Sequence, residues 1–140
     1  MTQDLYNEIK QINALDIQTI ASNTTTAGDI IDTAGYSSLT FVFQTGTLTD
    51  GDYTVLIQDG DDSGLSDAAA VADTELLGTE AGASFTADGD DNKTSKIGYV
   101  GVKRYVRLSI VSTSTSSGAV VGAIAILGHA RVQPQDTQVV

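Results

Sequence analysis

The sequence predicts an all-β fold, a β-sandwich or jelly-roll-like domain with a short N-terminal helix and an extended C-terminal tail. Three observations predict it. From Ile17 onward, apolar and polar residues alternate at period two in run after run. The runs are short and are bounded by Gly-, Asp- and Ser-rich turns. A 3.6-residue apolar spacing occurs only at the start of the chain. A length of 140 residues fits one domain with its own core. It divides into a helix or arm (1–16), a β-domain (17–128) and an extended tail (129–140).

Each element has its local reason. At the N-terminus Thr2 is placed to cap a helix, and Asp4 puts a negative charge in its first turn. Leu5, Ile9 and Ile12 share one face, and Asn13 and Asp16 mark the end. Residues 17–21, 29–33, 38–46 and 52–60 read as strands; in the third, Leu39, Phe41 and Phe43 point one way and Thr40, Val42 and Gln44 the other. Asp50-Gly51 predicts a hairpin joining the third and fourth. Residues 59–73 read as an acidic turn followed by one helical turn, 74–78 as a brief strand, and 80–92 as a loop anchored by Phe85. "GYVGVKRYVRLSIV" (98–111) then reads as one long strand, paired through the Ser/Thr turn 112–118 with a strand over 119–127. The tail "HARVQPQDTQVV" has no periodicity and reads as an arm.

Composition narrows the chemistry. Without cysteine there is no disulfide, thiolate metal site or Cys nucleophile. Asp and Glu number 18 against 7 Lys and Arg, a net charge of -11 that opposes nucleic-acid phosphates. "GAVVGAIAILG" (118–128) is too short to span a bilayer, and "MTQDLYNEIKQ" lacks the apolar stretch of a secretory leader. The expected partners therefore include neither nucleic acid nor membrane. The single histidine, His129, lies at a strand exit with no nucleophile motif in the sequence, and no phosphate-binding Gly-rich motif occurs. Glu75 and Glu80 offer carboxylates but no argument for a catalytic separation.

Two clusters are candidate sites. Asp59, Asp61, Ser63 and Gly64 match the opening of a calcium loop, with Asp67 as a later ligand. Position twelve is Ala70 where a bidentate Glu is needed, so these are weak metal candidates. A second acidic run, Asp88, Asp90, Asp91 and Asn92, has Lys93 where the turn glycine belongs. The other cluster is basic: five of the seven cations, Lys93, Lys96, Lys103, Arg104 and Arg107, fall within fifteen residues. Alternation puts Tyr99, Lys103, Tyr105 and Arg107 on one strand face, with Arg104 on the apolar side. Such cations either pair with acidic loops of the same chain or form a subunit interface, where Tyr and Arg are favoured anchors. Leu5, Tyr6 and Ile9 are the matching interface candidates on the N-terminal helix.

"DLYNEIK", "GYSSLTFVFQTGTLTDGDYTVLIQDGDDSGLSD", "LLGTEA", "SKIGYVGVKRYVRLSIVST" and "VGAIAILGHARVQP", in that order, together resemble small virion structural proteins of tailed bacteriophages, of the head decoration or cement kind. The similarity covers nearly the whole chain. It implies a non-enzymatic, capsid-stabilising protein that binds the major capsid protein lattice and itself, as a homotrimer, at the virion surface after assembly in the host cytoplasm. It implies no cofactor and no catalytic residues. Two alternatives stay open: a tail, neck or fibre-associated virion protein, and a calcium- or glycan-binding β-sandwich module.

Overall fold

Period-two alternation becomes two antiparallel sheets that bury their facing sides against each other. The computed structural model describes residues 3–86 and 89–140. Its strands are β1 (Ile9–Ile20), β2 (Thr24–Asp32), β3 (Ser38–Leu48), β4 (Asp52–Gly60), β5 (Ala69–Ala70), β6 (Leu76–Leu77), β7 (Thr94–Tyr99), β8 (Tyr105–Thr113) and β9 (Ala119–Gly128). One sheet runs β1-β9-β3-β7-β6 and the other β2-β8-β4-β5. With the two-residue β6 set aside as an edge addition, four strands face four, and consecutive strands, β4 and β5 excepted, alternate between sheets in the jelly-roll manner.

The core is the alternation seen in the sequence. Phe41, Phe43, Ile97 and Leu127 point inward from the five-stranded sheet, and Tyr53, Val55, Ile57, Leu108 and Ile110 from the four-stranded one; all are buried. Phe85 is the anchor its loop needs: its ring packs on Phe43 at 5.0 Å between centroids, and its backbone exchanges hydrogen bonds with Tyr53. The open edge of β4 beyond β5 is closed by the same segment. Glu80 accepts the Ile57 N–H at 2.6 Å and Ser84 Oγ the Val55 N–H at 2.9 Å, so no bare ladder edge is left there.

Several elements differ from the sequence expectation. The N-terminal helix is a single 3-10 turn, Tyr6–Glu8, after which the chain enters β1. Ile9 pairs with Gly128 and Ile12 with Ala125, which puts these two isoleucines on opposite faces of a strand. A short isolated helix is marginal in water, whereas β1 gains a full ladder with β9 and fits its isoleucines to a pleated surface. Thr2, the expected cap, and Asp88 of the second acidic run lie outside the described residues. The helical turn expected before residue 73 is instead the two-residue β5, and a one-turn helix, α1 (Glu80–Ala83), stands in the stretch read as loop. Thr79 caps it by accepting the Gly82 N–H at 2.9 Å.

Both expected hairpins have their turns in the right place and the wrong partners. β3 and β4 belong to different sheets, as do β8 and β9, so the Asp50-Gly51 turn and the 112–118 turn each cross the sandwich. The two crossings meet. Asp50 accepts the N–H groups of Ser116, Ser117 and Gly118 and the Ser116 hydroxyl. Gly118 holds φ at +92°, and a Cβ there would stand 2.3 Å from Ile20 O, so only glycine fits. Beneath them the Tyr53 hydroxyl reaches Asp50 O at 3.0 Å and Ile20 O at 3.2 Å.

The long strand expected over 98–111 is likewise two strands in two sheets, β7 and β8, joined by a crossover through Val100–Arg104. Gly101 makes the break: a Cβ there would sit 2.5 Å from the Tyr99 ring, which folds beneath the crossover. The C-terminal segment from His129 carries no regular structure and lies against the N-terminal turn.

Truncating the core at Phe43→Ala is expected to lower unfolding free energy by about 3–5 kcal/mol, read by chemical denaturation. Tyr53→Phe, which keeps the ring and removes the hydroxyl, is expected to lower it by only about 1 kcal/mol.

Candidate interaction surface

The crossover that splits the basic segment decides where its cations go. Lys103 pairs with Asp61, both partners being exposed. Arg104 grips Asp32 with two parallel bonds, Nε–Oδ1 at 2.8 Å and Nη2–Oδ2 at 2.9 Å, and stacks over the Tyr105 ring at 5.1 Å. Arg107 Nη2 donates to Gln58 Oε1 at 2.9 Å, and its buried Nε has no partner among the described residues. Tyr99 is buried; its hydroxyl donates to Asp59 Oδ2 at 2.7 Å and accepts the Lys103 N–H at 3.0 Å. Burial first, and then that bond to Asp59, pushes the Tyr99 hydroxyl well above its ordinary pKa.

Tyr99, Lys103, Tyr105 and Arg107 therefore do not share one strand face. Tyr99 and Lys103 clamp the crossover to the end of β4, while Tyr105 and Arg107 lie on the outside of the four-stranded sheet. Of the two sequence readings of the cation cluster, intramolecular pairing is what Lys103 and Arg104 make.

The acidic loop after β4 is closed on itself. Asp67 accepts the N–H groups of Asp61 and Asp62, and Asp62 accepts those of Gly64 and Ser66. These bonds hold both carboxyls below their ordinary values. Asp59 is buried against Tyr99, Asp61 faces Lys103, and Ser63 is exposed, so the four weak metal candidates do not converge. Among the described residues no group of three or more His, Asp or Glu side chains is placed to hold a metal.

Sequence reasoning passed over one pairing: Ser38 Oγ lies 2.9 Å from His129 Nδ1 at the exit of β9. Register alone brings them together, since Ser38 pairs with Gly128. The pair is exposed, and no carboxylate hydrogen-bonds the ring among the described residues, so the third group that orients a general base is not in place.

The surface that stands out was hidden in the alternation. A sheet with one face in water normally turns polar residues outward. The five-stranded sheet turns Ile17, Val42, Val120, Ile124 and Ile126 outward instead. Ile17 is 83% exposed and Ile124 43%. Across β3, β7 and β9 the outward positions hold a single charged side chain, Lys96, and no carboxylate. Small residues keep the face open: a Cβ on Gly122 would meet Ile17 at 2.9 Å, and one on Gly46 would meet Val120 at 3.2 Å. The result is a shallow apolar trough of about 360 Å³ between Ile17, Val42, Val120 and Ile124. Leu5, Tyr6 and Ile9, expected on a helix, border its far end beside Ile124 and Ile126.

No protein-family model matches the chain, and no curated protein matches it. Among the described residues no helix is long and apolar enough to cross a membrane.

Two outcomes follow from this geometry. Because the Asp62 and Asp67 oxygens already accept backbone N–H groups, millimolar calcium or a chelator is expected to leave the melting temperature unchanged. Asp50 is held well below its ordinary value of 3.8, first by the Ser116 hydroxyl and then by the Gly118 and Ser117 N–H groups, and Asp32 is lowered by Arg104. A carboxylate lowered on folding contributes stability that is complete above the unfolded value and is lost as pH falls through the folded one. The melting temperature is therefore expected to hold down to about pH 5 and to fall below about pH 4. Asp50→Asn is expected to lower it at neutral pH and to flatten that acid limb, as thermal scans across the range would register.

Proposed function

We propose that this chain is a non-enzymatic structural protein of a tailed-phage virion, a capsid decoration or cement protein. In this role it binds the major capsid protein lattice, associates with itself as a homotrimer and stabilises the head. The observation that carries the proposal is the outward face of the five-stranded sheet, apolar along β9 and at Val42 of β3 and free of carboxylates across β3, β7 and β9, in a chain of net charge -11. Contiguous apolar surface of this kind marks an association site. The sequence stretches that resemble phage decoration proteins are what point to a tailed-phage particle.

The face is suited to protein and not to solvent. A partner meeting it across β3, β7 and β9 strips water from isoleucine and valine and desolvates one charge, Lys96, so docking there carries little electrostatic penalty. The cations first read as interface anchors are engaged elsewhere: Lys103 pairs with Asp61 of the loop after β4 and Arg104 with Asp32 at the end of β2.

Val42→Asp combined with Ile124→Asp, both on the outer face, is expected to leave the monomer folded and to weaken binding to purified capsids at least about tenfold. Sedimentation with capsids reads it, and wild-type binding by the double variant would remove the face from the proposal. Lys103→Glu sets a carboxylate against Asp61 and is expected to lower the melting temperature while sparing capsid binding. Quantifying the chain in purified virions tests the larger claim: a copy number in the hundreds fits a head protein, about a dozen fits a neck protein, and absence ends the virion reading.

A further inference from the structure

The apolar face is open along its middle but covered at one end, and what covers it is the chain's own C-terminal segment. That segment leaves β9, donates the Arg131 N–H to Gly35 O at 2.8 Å, and doubles back along the N-terminal turn. There the Gln135 N–H donates to Asn7 O at 2.8 Å, the Tyr36 hydroxyl to Gln135 Oε1 at 2.9 Å, and Gln11 Nε2 to Gln138 O at 2.9 Å. Thr137 and Gln138 thereby wall in Ile9, Ile124 and Ile126 as a groove of about 460 Å³.

Polar contacts do this holding. Val132, Val139 and Val140 are 75%, 87% and 61% exposed, so the segment hides little of its own apolar surface. Hydrogen bonds made at the surface exchange readily with water and contribute little net stability, while ordering the segment costs backbone entropy. A stretch of this kind sits at the low end of local stability. Only Thr137 and Gln138 border the groove beside Ile124 and Ile126, and Val140 lies beyond it, beside Ile12 and Ile30.

We propose that residues 132–140 are a displaceable strap. In the free protein they close one end of the apolar face and limit premature association. When the face docks, they peel away and add Ile9, Ile126 and the rest of Ile124 to the contact. The proposal rests on the reading of that face as the docking surface.

The test uses isolated protein only, so it can fail or succeed independently of the virion. The full chain is compared with a chain shortened after Ala130 and with the full-length double variant Gln11→Ala, Tyr36→Phe, which removes two side-chain tethers. Fluorescence of a hydrophobic dye and sedimentation equilibrium are the readouts. Both variants are expected to bind dye several-fold more strongly and to self-associate at lower concentration, the shortened chain more so. If the shortened chain binds no more dye and associates no more readily than the full chain, the strap is overturned. Should the shortened chain fail to fold, the double variant decides alone by the same criterion. Gains in both variants together with failure to bind capsids would keep the strap and discard the decoration role.

Discussion

The constraint on which this structure depends is that the chain crosses the sandwich between most consecutive strands. β1, β3, β7 and β9 lie in one sheet and β2, β4 and β8 in the other. Neither sheet can form from a continuous piece of sequence, so each is stable only while the inward faces of both are joined. Burial of Phe41, Phe43, Tyr53, Ile57 and Leu108 is thus what creates the sheets as well as what glues them. Polar clips close the two ends. At one, Asp50 binds the 112–118 turn above Tyr53; at the other, Tyr99 and Lys103 fasten the β7–β8 crossover to Asp59 and Asp61. Contacts so distant in sequence favour slow, all-or-none folding.

Strand identity was legible because alternation is local. Ser38–Gly46 and Asp52–Gly60 read directly as β3 and β4, since Phe41, Phe43, Val55 and Ile57 each face the core. Strand partnership was not legible, because a tight turn looks alike whether the chain returns beside itself or crosses to the opposite sheet. The Asp-Gly pair at 50–51 is strong hairpin chemistry, yet it serves a crossing, and the deciding partners, Ser116 to Gly118, are sixty-six or more residues away. The N-terminus failed for a related reason. Spacings of three and four between Leu5, Ile9 and Ile12 are blind to the ladder that β9 offers across the whole chain length. Gly101 was the visible sign that 98–111 is not one strand, but only the Tyr99 ring packed beneath it explains why a glycine is needed.

The same topology answers why an acidic chain gathers its cations. The β7–β8 crossover passes over the end of β4, where Tyr99 meets Asp59 and Lys103 meets Asp61, and beside the end of β2, where Asp32 lies. Lys103 and Arg104 each meet one carboxylate there, Asp61 and Asp32. Exposed pairs of this kind contribute little individually. Their effect here is placement, since a bidentate Arg104–Asp32 grip fixes the direction in which the chain enters β8.

Charge placement also bears on the outer face. Eighteen acidic residues keep a protein of this size soluble, provided its apolar surface is confined. Across β3, β7 and β9 the outward positions carry no carboxylate, and the one acid among the strands of that sheet is Asp16 of the edge strand β1. If the outward isoleucines and valines served only strand propensity, threonine would do as well, as it does in the Thr24–Thr26 run of β2. Isoleucine at 17 and 124 gives up solvation that threonine would retain, an exposure that accords with the docking role proposed for this face. A strap held by hydrogen bonds is the compatible partner for such a face, because a strap that buried its own valines there would compete with docking instead of yielding to it.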